Sequence, residues 1–98
     1  MTASCYILFS KSLNKFYVGA TQTSVMQRLE KHNKHSYGSH RYTAKANDWE
    51  VFLILKADNY SHAIRMERKI KAMKSKTFIK NLKQYHELRI KLIKQTST

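Results

Sequence analysis

The chain has 98 residues, of which 42% are hydrophobic and 26% are charged. This length predicts one domain with a modest core, spanning residues 1–98. No apolar run approaches the ~20 residues that a membrane span requires, and the N-terminus does not have the pattern of a signal peptide. A single cysteine excludes an internal disulfide, so we expect a cytoplasmic protein.

The excess of positive charge is the strongest signal in the composition. Nineteen Lys and Arg against six Asp and Glu give a formal net charge of +13. Such an excess attracts polyanions and predicts salt-sensitive binding. Because the basic residues are spread over every segment and are not confined to one amphipathic helix, we expect nucleic acid as the partner and no membrane.

The first part of the chain has the pattern of a β-hairpin. Residues 4–10 and 16–21 are rich in aromatic and β-branched residues and flank a polar stretch, which is typical of two paired strands. Residues 49–57 are strongly apolar and predict a third strand.

Alternation along the hairpin separates a core face from a face that carries two tyrosines. Pairing Ser10 with Lys15 places Tyr6 and Tyr17 on the face opposite to the core and sets Gly19 across from Tyr6. Gly19 would then leave space beside the phenol, where a backbone phosphate can approach. We therefore count Gly19 among the residues that contact nucleic acid.

A first helix is predicted after the hairpin. Ser24 and Gln27 have the spacing of a capping box, and we expect the helix to run to about His35. Arg28 and His32 lie one turn apart and border its apolar stripe. Since a histidine can change charge near neutral pH, His32 is a candidate proton relay.

Residues 36–47 predict a basic and aromatic loop. His40, Arg41 and Tyr42 place cations among rings on which bases of any sequence can stack. They are candidate contacts for nucleic acid, and a solvated loop is the alternative interpretation.

Two further helices are predicted after the third strand. Ser61 is expected to cap a helix that ends near Lys74, and another helix is expected over residues 77–94. Residues 83–98 would form a basic C-terminal helical extension. Together these elements predict an α/β (α+β) fold, with a small three-stranded, mainly antiparallel sheet flanked by three helices.

Glu67 is an acid on the apolar face of the second predicted helix, at i+4 from Ala63 and i−3 from Ile70. A buried carboxylate is costly unless it is paired or bound to a cation. Mg²⁺ prefers oxygen ligands and often takes only one or two protein carboxylates. The residues alone leave two interpretations, a metal ligand or a helical salt bridge to Lys71 at i+4.

These residues, taken in order, resemble the GIY-YIG nuclease family, in its small standalone bacterial form (the URI domain). Residues 4–7 (Ser-Cys-Tyr-Ile) and 16–19 (Phe-Tyr-Val-Gly) match the two tyrosine motifs of the family. The first motif has Ser-Cys in place of Gly-Ile, and the second has Val in place of Ile. Arg28 and Glu67 follow in the family's order, and the resemblance covers roughly residues 4–82.

The resemblance implies a metal-dependent endonuclease that hydrolyses phosphodiester bonds, with DNA favoured over RNA and with low or structure-based sequence specificity. Glu67 would bind one Mg²⁺ or Mn²⁺ ion, and no small-molecule cofactor is expected. Arg28 would offset charge on the scissile phosphate, while Tyr6 and Tyr17 would position or deprotonate the attacking water. The catalytic candidates are Tyr6, Tyr17, Arg28, His32, Glu67 and Asn81, and the candidate nucleic-acid contacts are Gly19, His40, Arg41, Tyr42, Arg65 and Lys71.

Two other functions stay open. The altered first motif is compatible with a non-catalytic nucleic-acid-binding module that keeps the GIY-YIG fold. Alternatively, the basic helix over residues 82–93 would make the chain a surface adaptor for an acidic protein or for lipid head groups.

Overall fold

The computed structural model describes residues 3–34 and 45–97, so the predicted contacts His40, Arg41 and Tyr42 lie outside the described residues. The α/β fold with a three-stranded antiparallel sheet is confirmed. Its elements, in chain order, are β1 (Ala3–Ser10), β2 (Lys15–Thr21), α1 (Val25–Asn33), β3 (Trp49–Ala57), α2 (Tyr60–Met73), α3 (Lys76–Gln84) and α4 (His86–Thr96).

The sheet has the strand order β2-β1-β3, with both neighbouring pairs antiparallel. The predicted hairpin register is confirmed, because Ser10 pairs with Lys15 and Tyr6 pairs with Gly19. Asn14 turns the chain between β1 and β2 with a φ of 53°. This register fixes which side chains leave each face of the sheet.

Helices cover both faces of the sheet, and each face carries its own apolar cluster. Cys5, Ile7 and Val18 are buried on one face with residues from α2, α3 and α4. Tyr6 and Leu8 are buried on the opposite face with residues from α1 and the start of β3. The face of the two tyrosines is therefore itself part of the core, which the alternation pattern did not predict.

The capping predictions are half right. Ser24 caps α1 as predicted, and its side chain accepts a hydrogen bond from the N–H of Met26. The predicted cap at Ser61 is wrong, because α2 begins at Tyr60 and Asn59 is its N-cap. The Asn59 side chain accepts from the N–H of His62 at 2.8 Å, so an amide two residues earlier satisfies the start of the helix.

The predicted continuous helix over residues 77–94 is wrong, since the chain breaks at Tyr85 into α3 and α4. Tyr85 has extended backbone angles, with φ −110° and ψ 108°. Arg89 donates from Nη1 to the carbonyls of Leu82 and Lys83, at 2.8 and 2.6 Å. These bonds satisfy carbonyls that the end of α3 leaves without helical partners, so the domain has four helices within its described residues.

Side-chain hydrogen bonds from α2 hold the C-terminal end of α4. His62 is fully buried, and its Nε2 lies 3.0 Å from both the Ile93 carbonyl and the Thr96 hydroxyl. Arg65, predicted to contact nucleic acid, donates from Nε to the Thr96 carbonyl at 2.6 Å. Leu92 is buried in the core, so α4 uses its apolar side inside the domain. Among the described residues, no helix is long and apolar enough to cross a membrane.

Candidate active site

Three rings from three elements meet on the α1 side of the sheet. The hydroxyl of Tyr6 on β1 and Nε2 of His32 on α1 form a hydrogen bond of 3.0 Å. The ring of Tyr17 on β2 has its centroid 4.8 Å from that of His32 and 6.4 Å from that of Tyr6. Tyr6 and His32 are 2% and 3% exposed, whereas Tyr17 is half-buried. The structure thus brings together three of the predicted catalytic residues.

Asn33 holds the end of α1 against β3 and thereby places His32 over the sheet. Its side-chain nitrogen donates to the carbonyl of Trp49 at 3.0 Å, and its side-chain oxygen accepts from the N–H of Trp49 at 2.8 Å. An amide pairs with a backbone donor and acceptor at once. Sequence analysis missed Asn33, because nothing in the sequence marks one amide at a helix end as a tertiary contact.

Gly19 makes room for the phenol of Tyr6 itself. A Cβ at Gly19 would lie 2.6 Å from both Cζ and Oη of Tyr6, closer than heavy atoms can pack. The space that the register predicted beside Gly19 is therefore filled by the ring, whereas we had expected a phosphate there. Gly19 positions Tyr6 against His32.

Arg28 is tied to the end of β2. Its Nε donates to Oγ1 of Thr21 at 3.2 Å, and the same oxygen accepts from the N–H of Thr23 at 3.0 Å. Thr21 is fully buried, so this contact fixes the root of the guanidinium one helical turn from His32. Thr21 is a second positioning residue that sequence analysis missed, since a threonine at a strand end has no distinctive pattern.

Glu67 reaches the edge of β2 from the opposite layer, on α2. Nζ of Lys71 lies 2.6 Å from its Oε2, and the same ammonium lies 5.7 Å from the ring centroid of Tyr17. Burial raises the pKa of the Cys5 thiol to about 12, and the negative charge of Glu67 is a second cause. The helical salt bridge that sequence analysis considered is therefore present, and it links the carboxylate to Tyr17.

A metal ion at Glu67 would have few protein ligands among the described residues. Within residues 3–34 and 45–97, no group of three or more His, Cys, Asp or Glu side chains is placed to hold a metal ion. Mg²⁺ and Mn²⁺ fit this donor set as ions held by one carboxylate, with water and substrate phosphate as the other ligands. The Glu67 side chain is 21% exposed, which leaves a carboxylate that solvent can reach.

Two predicted site residues stand apart from this cluster. Asn81 is half-buried in α3, and in the described part of the chain no hydrogen bond joins its side chain to Glu67. Arg65 is bound to the end of α4. Neither residue is brought to the tyrosines by a contact that the structure shows.

The two altered residues of the first motif, Ser4 and Cys5, are both buried. Cys5 is fully buried in the larger apolar cluster, and Ser4 pairs with Thr21 in the regular register of β1 and β2. The next residue, Tyr6, keeps its bond to His32. Ser-Cys in the first motif is therefore compatible with a phenol that is buried and hydrogen-bonded to His32.

The small α/β scaffold thus carries two phenols, an imidazole, a guanidinium and a carboxylate around the edge of β2. The family model described as the GIY-YIG catalytic domain matches residues 2–84. The chain therefore belongs to the GIY-YIG family, as the resemblance predicted. Membership makes it a nuclease-type domain with endonuclease activity in general and a nucleic acid as its substrate. No curated protein and no solved structure gives a significant match.

Proposed function

We propose that this domain is a DNA endonuclease that depends on one Mg²⁺ or Mn²⁺ ion and has low or structure-based sequence specificity. The observation that carries the proposal is the buried hydrogen bond between Tyr6 and His32, beside Tyr17. A phenol and an imidazole in direct contact can pass a proton. Packing alone does not require two polar groups at this depth, because apolar side chains fill such positions without partners.

The two tyrosine rings differ in exposure to solvent, which indicates different roles. Tyr6 is almost fully buried, so it acts as a positioning residue that holds His32 in place. Tyr17 is half-buried and is the phenol that an attacking water can approach. His32 lies beside both rings, and it takes up the proton that the water gives up, with its hydrogen bond to Tyr6 as the path along which the charge can spread.

The charged residues act on the phosphate. Arg28, fixed at Nε by Thr21, offsets the charge that develops on the equatorial oxygens during phosphoryl transfer. Glu67 would hold the metal ion. When bound, such an ion polarises a phosphoryl oxygen and stabilises the leaving oxygen.

The salt bridge of Glu67 does not prevent metal binding. Lys71 is 50% exposed, and exposed helical pairs at this spacing contribute only about 0.3–0.5 kcal/mol. This is a factor of about two in an equilibrium constant. An ammonium held so weakly would leave the Glu67 carboxylate available to hold a divalent ion in the presence of a substrate phosphate.

The test is cleavage of labelled single-stranded DNA, double-stranded DNA and RNA with Mg²⁺, Mn²⁺ or EDTA. Glu67→Gln should lower the rate by roughly 10²-fold or more, as removal of a transition-state contact does. Glu30→Gln is the matched control, because Glu30 also pairs with a lysine at i+4, on the exposed side of α1, and it should cut like wild type.

Two outcomes would contradict the proposal. Full metal-dependent cutting by Glu67→Gln would remove Glu67 from the mechanism. Binding without cutting by wild type, in every ion tested, would identify the non-catalytic module with a GIY-YIG fold.

A further inference from the structure

A groove of about 460 Å³ lies between β2 and the connection of α2 with α3. Phe16 and Val18 of β2 form one wall, and Ile70 and Ile79 form the other. The strand β2 is an edge of the described sheet, and Val18, Ile70 and Ile79 are at the same time buried members of the larger apolar cluster. The volume falls in the range of about 300–1,000 Å³ that is usual for small-molecule sites.

Lysines surround the apolar walls. Lys15, Lys71, Lys74 and Lys76 all line the groove. Lys76 donates from Nζ to the carbonyl of Asn14 at 2.7 Å, which draws the start of α3 toward the β1–β2 turn. An apolar slot with a cationic rim fits a ligand that joins a flat apolar ring to negative charges.

Tyr17 belongs both to this groove and to the ring cluster with His32. An occupant of the groove therefore lies beside Tyr17, the phenol that an attacking water can approach under the proposed function. A nucleotide of the substrate is placed there by its covalent link to the scissile phosphate. An acidic peptide that adds to the β2 edge would match the positive charge of the lysines. Its binding would not explain why the groove lies next to Tyr17.

We infer that this groove binds one unpaired nucleobase of the substrate, adjacent to the bond that is cut, while the lysines contact the flanking phosphates. The inference rests on the proposed function for the position of the cut. A base in a regular duplex is stacked on both faces and cannot enter a slot. The substrate class is therefore nucleic acid with an unpaired nucleotide, such as a bulge, a branch or a single strand.

The first test is binding in EDTA, measured by fluorescence anisotropy on three duplexes that differ at one site. One duplex has a single bulged nucleotide, one has an abasic bulge, and one is fully paired. The base should improve affinity about tenfold over the abasic bulge, a typical gain for one stacked base. Equal affinity for the first two duplexes would overturn the inference.

The second test locates the base. A bulged 5-iodouracil should cross-link to residues 15–18 or 70–79, identified by mass spectrometry, and a cross-link on α4 instead would refute the site. Lys74→Gln and Lys76→Gln together should weaken binding of the bulged duplex. The control is Lys91→Gln with Lys94→Gln, which removes the same charge from α4, a helix that packs on α2, α3 and β3; neither lysine is among the residues that line the groove.

These results separate the groove from the chemistry. Base-dependent binding with no cutting in any divalent ion would support the groove and refute the proposed endonuclease. Displacement of the fully paired duplex by an acidic peptide, with no effect of the bulged base, would make the groove a peptide site and overturn the inference.

Discussion

Replacing Gly19 with alanine should destabilise the domain, although the backbone at this position favours alanine. Gly19 does not have a positive φ, so an L side chain is compatible with its conformation. The new methyl would meet Cζ and Oη of Tyr6 at 2.6 Å. The ring cannot turn away freely, because it is 2% exposed and hydrogen-bonded to His32.

The sign of the effect depends on which of two contributions is larger. Gly→Ala at a compatible position stabilises by about 0.4–1 kcal/mol through the unfolded chain. Overpacking a core by one methyl costs about 1–3 kcal/mol. We therefore expect a net loss of about 1–2 kcal/mol, which lowers the Tm of a domain this size by roughly 5–15 °C. Cleavage should fall as well, since Tyr6 is pushed away from His32.

The assay is thermal and urea unfolding of a double-mutant cycle with Tyr6→Ala. Without the ring, Gly19→Ala should no longer destabilise the domain and should stabilise it by up to about 0.4–1 kcal/mol. Ala20→Gly, at the neighbouring position of β2, measures the cost of a glycine in this strand without the contact to Tyr6. An equal loss of stability in the Tyr6→Ala background would refute the explanation, because the methyl would then clash with something else.

Two further predictions concern the charged and titratable groups near Glu67. Lys71→Gln should lower the Mn²⁺ concentration for half-maximal cleavage at saturating DNA roughly twofold. The reason is that it removes a side chain that competes with the ion for the Glu67 carboxylate, with a salt bridge of about 0.3–0.5 kcal/mol. A higher Mn²⁺ requirement in this variant would show that Lys71 assists metal binding. Cys5 has a pKa raised from its ordinary 9.0 to about 12 in the folded state, so its contribution to stability is present below pH 9 and is lost as the pH rises toward 12. Wild type should therefore lose Tm more steeply than Cys5→Ala between about pH 8.5 and 10.5, and parallel melting curves would contradict the burial of the thiol.

The sheet was predictable because its information is local. Alternation and an even loop length fix the pairing of Tyr6 with Gly19, and both depend only on neighbours in sequence. The helix break at Tyr85 was not predictable in this way. The apolar positions Leu82, Tyr85, Leu88 and Leu92 continue one helical stripe without glycine or proline, and the break depends on how Arg89 satisfies the end of α3.

The members of the candidate site could be proposed from the sequence, but their contacts could not. The resemblance to the family's motifs points to Tyr6, Tyr17, Arg28 and Glu67, since a motif records residue types and spacing. The bond between Tyr6 and His32 joins residues 26 positions apart, and it depends on how α1 docks through Asn33. Such tertiary contacts produce no periodic pattern in the sequence from which they could be predicted.

The candidate site draws its parts from both sides of the sheet. Tyr6 on β1 is hydrogen-bonded to His32 on α1, whereas Glu67 lies on α2, where its partner Lys71 is also close to the ring of Tyr17. A chain that has folded only one of these layers holds Tyr6 and His32 without Glu67, or Glu67 without them. Under the proposed function, cutting therefore requires both layers, and a partly folded chain would not cut.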